Sequence, residues 1–185
     1  MTDNLVLQTL RNRFSCRKYI DRPVEKEKIQ AIIEAGKYAP NGRNAQGWHF
    51  TIIQSEEGKK LLLQAAGENP PEEFLKMMPN GKWPFQGDFC GAPVIIMVSG
   101  QTDVPWPQVG AHLAVGNMMN AAASLGLATL WSSAFTRDLF RDEKSRSVKS
   151  KLVPGENELY ATVFLGYPEC IPERPQRREN VETWI

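Results

Sequence analysis

The chain of 185 residues is poor in the side chains that build metal centres and acid–base relays. It has two histidines, His49 and His112, and three cysteines, Cys16, Cys90 and Cys170. Three thiols cannot pair completely, and no CxxC or Cys/His ligand spacing exists, so neither a disulfide framework nor a zinc site is expected. Two histidines in unrelated contexts support no Ser/His/Asp arrangement. The absence of GxGxxG and of a Walker-type loop argues against a Rossmann dinucleotide site and a P-loop. No apolar run is rich enough to span a bilayer. The N-terminal MTDNLVLQTLRNRF lacks the apolar core of a signal peptide. Charge of one sign is missing too. With 22 basic and 21 acidic residues the net charge is +1, so no global field draws the chain to nucleic acid or an anionic membrane. These absences predict a soluble, cytoplasmic protein with reduced thiols, no metal, no nucleic-acid partner and no membrane contact.

What is present is ordinary for a globular domain: 42% hydrophobic and 23% charged residues. That length can bury a core without staples, so residues 1–185 are read as one domain. Leu5, Leu7 and Leu10 mark a short helix over 3–12. Pro23 suggests where a second helix begins, with Ile29, Ile32 and Ile33 on one face to about Tyr38. WHFTIIQ (48–54), PVIIMVS (93–99), LATLW (127–131) and ELYATVFLGY (158–167) read as strands. Ser55 starts a helix carrying Leu61, Leu62, Ala65 and Ala66. Residues 109–125 form a small-residue helix that Gly126 ends. Residues 137–152 read as one polar, charged helix. The tail 168–185 is Pro-rich and basic. Alternation of helices and strands suggests an α/β sheet covered on both faces, with strand directions open.

Four constellations could carry chemistry. Arg13, Phe14, Ser15, Cys16 and Arg17 form a basic turn. Arg13, Ser15 and Arg17 share a side of an extended chain, and guanidinium forks with a hydroxyl suit a phosphate. Alone, the turn could equally be a solvated basic surface. The flanking arginines would lower the Cys16 thiol pKa, but a structural or incidental cysteine is the preferred reading. APNGRNAQGWHF (39–50) combines Gly42 and Gly47, which permit unusual backbone angles or close approach, with the amides of Asn44 and Gln46. Amides can read the edge of a heteroaromatic ring, though a plain helix-to-strand loop has the same composition. LATLW runs into Trp131, Ser132 and Ser133, where a buried strand opens into a loop. The tail holds Arg174, Arg177 and Arg178. His49 and His112 have no assigned role.

In order along nearly the whole chain, these segments resemble the nitroreductase family of FMN-dependent oxidoreductases. RFSCRKY is similar to the family's RxSxRxF/Y element, and APNGRNAQGWHF to its APSxxNxQPWxF element. GAPVIIMVS, a helix into GLATLW, and LVPGENELYATVFLGYPE follow in the family's order. The resemblance implies an α+β fold with a mainly antiparallel sheet, and a tail extending over the partner of a homodimer with FMN at its interface. Carried onto this sequence, it implies that Arg13, Ser15 and Arg17 hold the FMN phosphate and ribityl. Asn41, Asn44 and Gln46 would contact ribityl and isoalloxazine. Trp131, Ser132 and Ser133 would lie on the other side, and Arg177 or Arg178 would return from the tail to the phosphate. Gly47 stands where the family has proline, which should loosen that turn, and Asn41 where serine is common. The implied chemistry is ping-pong transfer from NADH or NADPH to a nitroaromatic, quinone or similar small planar acceptor. A slow flavin-binding sensor or storage protein, a flavin-consuming enzyme and a dehalogenase are alternatives. Trp83, Phe85, Phe89 and Trp106 either wall the acceptor slot or pack locally.

Overall fold

The computed structural model describes residues 3–66, 89–140 and 142–185. Helix α1 (Leu5–Asn12) starts where the Asn4 side chain accepts the Leu7 N–H at 3.0 Å. Helix α2 is Lys26–Lys37. It begins later than Pro23 suggests because residues up to Glu25 stay extended. The Glu25 carboxylate is engaged instead, accepting from Tyr167 Oη at 2.7 Å and from Arg22 at 3.1 Å. Strand β1 (Trp48–Ile53) and α3 (Glu56–Ala66) follow, then β2 (Val94–Gly100) and α4 (Pro107–Ser124). Strand β3 (Ala128–Trp131), short helices α5 (Ser133–Asp138), α6 (Glu143–Arg146) and α7 (Lys149–Leu152), and β4 (Glu158–Gly166) complete the order. The expected helix over 137–152 is therefore three pieces. Phe140 turns left-handed, at φ 62°, and its N–H leaves the helical ladder for Ala65 O, at 2.9 Å. Asp142 then restarts the chain with a capping box to Ser145.

The strands form one sheet in the order β1-β2-β4-β3, and every pairing is antiparallel. The fold is α+β, as the family resemblance implies; alternation along the chain reflects helices on both faces. All seven residues of β2 are buried, because it is central and covered on both sides. Val94, Ile96 and Val98 face α2 and α4 with Ala161, Val163 and Leu165. Ile95 and Met97 face the opposite layer with Leu62, Phe135 and Phe164. That layer centres on Phe89, Phe135 and Phe164, whose rings meet edge-on with centroids 5.6–5.9 Å apart. On the other face α2 and α4 approach so closely that a Cβ on Gly36 would lie 2.9 Å from Met118 Cγ. The small residues of α4 allow that approach.

The end of β4 is pinned to the start of α2. Arg22 lies over the Tyr167 ring at 3.9 Å and Lys28 Nζ at 5.1 Å. Lys28 also donates to the Tyr167 hydroxyl, at 2.9 Å, and to Leu125 O, at 3.2 Å. The hydrogen bond from Tyr167 holds the Glu25 carboxyl down at about 2. Beyond this node, residues 169–185 are exposed.

Candidate functional site

The basic turn lies along the free edge of the sheet. Ser15 bridges Thr129 of β3 in parallel, and the Cys16 N–H donates to Thr129 O at 2.9 Å. Arg13 closes α1 through its own N–H to Thr9 O and then turns extended. Arg13 and Ser15 are half-buried and Arg17 is exposed. Among the described residues neither guanidinium has an ion-pair partner, unlike Arg11 with Asp3 and Arg22 with Glu25. Arg13 and Phe14 line a cavity of about 170 Å³ with Thr129, Met119, Pro168 and Ile171. The Thr129 hydroxyl itself is fully buried and has no hydrogen-bond partner. Cys16 is not activated: burial pushes its thiol up, outweighing Arg17, and Sγ donates to Lys18 O at 3.1 Å. Tyr19 beneath it donates to Cys16 O and Phe164 O, both at 3.2 Å, and burial raises its phenol.

The 39–47 loop is held under strain. Arg43, Asn44 and Gln46 take left-handed angles, with φ of 53°, 53° and 51°. Such angles in side-chain-bearing residues cluster at functional sites. The glycines are needed for another reason. A Cβ on Gly42 would sit 2.6 Å from Pro105 O, and one on Gly47 2.9 Å from Val104 Cγ2. Gly47 therefore tightens the packing of the 101–106 segment rather than loosening the turn. Asn41 fastens the loop: its Oδ1 accepts the Gln46 N–H at 2.8 Å and its Nδ2 donates to Ala39 O at 3.2 Å. Asn44 and Gln46 are left exposed. Asn41 lines a narrow crevice with Trp48, Val104 and Trp106. Trp106 is 69% exposed and left-handed at φ 48°.

At the far end of β3, Trp131 is 40% exposed and Ser133 exposed. Ser132 is buried and occupied, its hydroxyl accepting the Phe135 N–H at 3.3 Å to cap α5. Trp131 and Ser133 line a cavity of about 520 Å³ with Gln108, His112, Tyr160 and Lys149. The His112 and Trp131 rings lie 5.0 Å apart, and His112 Nε2 is 3.1 Å from Tyr160 O. Sequence reading left His112 without a role. Its signal was the i, i+4 spacing with Gln108, which puts both on one face of α4. Phe89, expected as a slot wall or as packing, is a core residue, 1% exposed among Phe135 and Phe164. Trp83 and Phe85 lie outside the described residues. Arg177 and Arg178 are exposed, and no side-chain partner is present for either among the described residues. The tail cation that does reach the basic turn is Arg174, which donates to Arg11 O at 2.6 Å and Asn12 O at 2.7 Å.

One chain thus carries the basic turn, the strained loop and the Trp131–Ser133 end on three different cavities. No helix among the described residues is long and apolar enough to cross a membrane. The nitroreductase family model matches residues 10–167, so the three motifs fall inside the match and Arg177 and Arg178 outside it. An Archaeoglobus fulgidus protein with a provisional NADH dehydrogenase/NAD(P)H nitroreductase name is 28% identical over 164 residues, 88% of this chain and 85% of that one. An iodotyrosine deiodinase of Thermotoga neapolitana is 24% identical over 181 residues, 92% of each. The crystal structure of a Bacteroides fragilis nitroreductase with bound FMN matches at a TM-score of 0.82 and 26% identity, covering 99% of this chain and 100% of that one. The chain belongs to the nitroreductase family.

Proposed function

We propose that this nitroreductase-family flavoenzyme holds FMN along the free edge of β3 and, as a homodimer, passes reducing equivalents from NADH or NADPH to a small planar nitroaromatic or quinone in a ping-pong cycle. The observation that carries this reading is the Ser15–Thr129 bridge. It sets the cationic turn beside one end of the edge strand whose other end is Trp131. A ligand with an anion at one end and a ring at the other matches that polarity. The fit is supported by two arginines with no ion pair among the described residues, one of which lines a cavity beside the edge strand. When bound, FMN supplies the hydride chemistry at its N5.

The chain's own residues bind and orient. Arg13 and Arg17 neutralise the phosphate by charge-assisted hydrogen bonds, with Ser15 donating beside them. Arg177 or Arg178 adds a cation from the tail. Asn44 and Gln46, kept exposed by the Asn41 latch, offer amide donors and acceptors to ribityl and ring edge. Trp131 and Ser133 flank the ring; Ser132 acts by capping α5. The cavity with His112 and Trp131 is the acceptor slot, where Tyr160 stays a neutral donor because burial raises its phenol. The division of the motifs among three cavities supports completion of the site by a second copy. The exposed apolar residues of α1, Leu5, Val6 and Leu10, support an interface there. The likeness to a deiodinase supports a second reading, reductive dehalogenation in the same slot.

The test begins with the purified protein's absorption spectrum. It should be yellow, or take up added FMN; a colourless protein that binds no FMN ends the reading. Anaerobic NADH or NADPH should bleach the bound flavin within seconds, and no bleaching with either favours the sensor. Arg17→Ala should weaken FMN binding about tenfold to a hundredfold, as loss of a charged hydrogen bond does, and Arg43→Ala far less. Equal losses would show that the phosphate lies elsewhere. A stable 20.8 kDa species that binds flavin would exclude the dimer.

A further inference from the structure

Helix α1 ends at the basic turn with the wrong polarity for an anion site. Its last carbonyls, Arg11 O and Asn12 O, carry the negative end of the helix dipole, and Arg13 follows directly. Arg174 lies on those carbonyls. Its Nη1 donates to Arg11 O at 2.6 Å and to Asn12 Oδ1 at 3.3 Å, and its Nη2 donates to Asn12 O at 2.7 Å. Arg174 is 163 residues from Arg11 in sequence, and the chain spends a long-range contact on an exposed helix end. The segment leading to it is already guided by the Glu169 N–H on Lys18 O, at 3.1 Å, and by the Lys18–Glu169 ion pair, at 2.8 Å.

We propose that Arg174 is a positioning residue for phosphate binding: by capping the carboxyl end of α1 it cancels the negative dipole end beside Arg13 and fixes the turn that carries Arg13, Ser15 and Arg17. This rests on the reading that the turn holds the FMN phosphate. Arg174 touches backbone and Asn12, so it acts through the turn and not on the ligand. A planar guanidinium forking two carbonyls does this better than an ammonium. The tail therefore contributes twice, once through Arg174 and once through Arg177 or Arg178.

The experiment compares two ligands that differ only in the phosphate. FMN and riboflavin are titrated into flavin-free protein, following quenching of flavin fluorescence, for wild type, Arg174→Gln and Arg174→Lys. Arg174→Gln should raise the FMN Kd about twofold to fivefold, the range of an exposed helix-end charge, and leave the riboflavin Kd unchanged. Arg174→Lys, which keeps the charge, should fall between it and wild type. High salt should shrink the difference for FMN. Equal weakening for both ligands would mean that Arg174 is merely structural, and no weakening for either would mean that it is irrelevant; each overturns the proposal. Failure of the underlying reading looks different: wild type itself would bind FMN no more tightly than riboflavin.

Discussion

Strand β2 and the 41–47 loop are held by opposite means. Every residue of β2 is buried, the strand is paired on both edges, and its side chains alternate between two apolar layers. The loop buries little. Three of its residues sit at left-handed angles, kept there by one amide latch and by the 101–106 segment pressing on its glycines. Burial lets the strand tolerate apolar swaps that conserve volume. The loop spends part of that stability to keep two amides facing outward. The sheet is the scaffold, and strain is confined to where a ligand is to be met.

The largest test of this contrast is on the scaffold. Phe164→Ala, which opens the aromatic trio, should cost about 3–5 kcal/mol in urea melts; a loss below 1 kcal/mol would show that the two layers are not a jigsaw. Gly42→Ala should cost about 1–3 kcal/mol, because its Cβ meets backbone rather than a flexible side chain. Crystallography of that variant should show the 101–106 segment displaced. Gln46→Gly should do the reverse and raise stability by about 0.5–1 kcal/mol by relieving φ, while FMN binds more weakly. A Gln46→Gly variant that is less stable and fully competent in binding would remove the distinction between strand and loop.

The smallest effect lies in acid. Glu25 is held at about 2, first by the Tyr167 hydroxyl. Its ordinary value is 4.5, so between those pH values the unfolded chain binds more protons and stability falls as pH falls. The contribution is complete above about pH 5 and fades toward pH 2. Tyr167→Phe should lose less of its urea midpoint between pH 6 and pH 3 than wild type; parallel curves would remove the linkage.

The strands and most helices were legible because their burial is written as composition and period: PVIIMVS has no polar side chain before its end, and Ile29, Ile32 and Ile33 repeat at helical spacing. The break at Phe140 was not, because a left-handed phenylalanine is dictated by Ala65, a residue from a distant helix. For the same reason the loop's strain fell on Arg43, Asn44 and Gln46 rather than on its glycines. The ordered motifs made the family legible. They could not show that His112 meets Trp131, since that depends on how α4 and β3 lie together. Arg174 looked like one more solvated cation, because nothing local distinguishes a guanidinium that finds carbonyls far away in sequence.

The Tyr167 node has a mechanical meaning. A pull on the C-terminal tail, once past the Arg174 and Glu169 contacts, meets just beyond β4 a ring that bears two cations and is tied by its hydroxyl to Glu25. Force stops there before it can reach the β4 ladder. Once Arg174 and Glu169 release α1 and Lys18, the tail can be lifted while the four strands stay as they are.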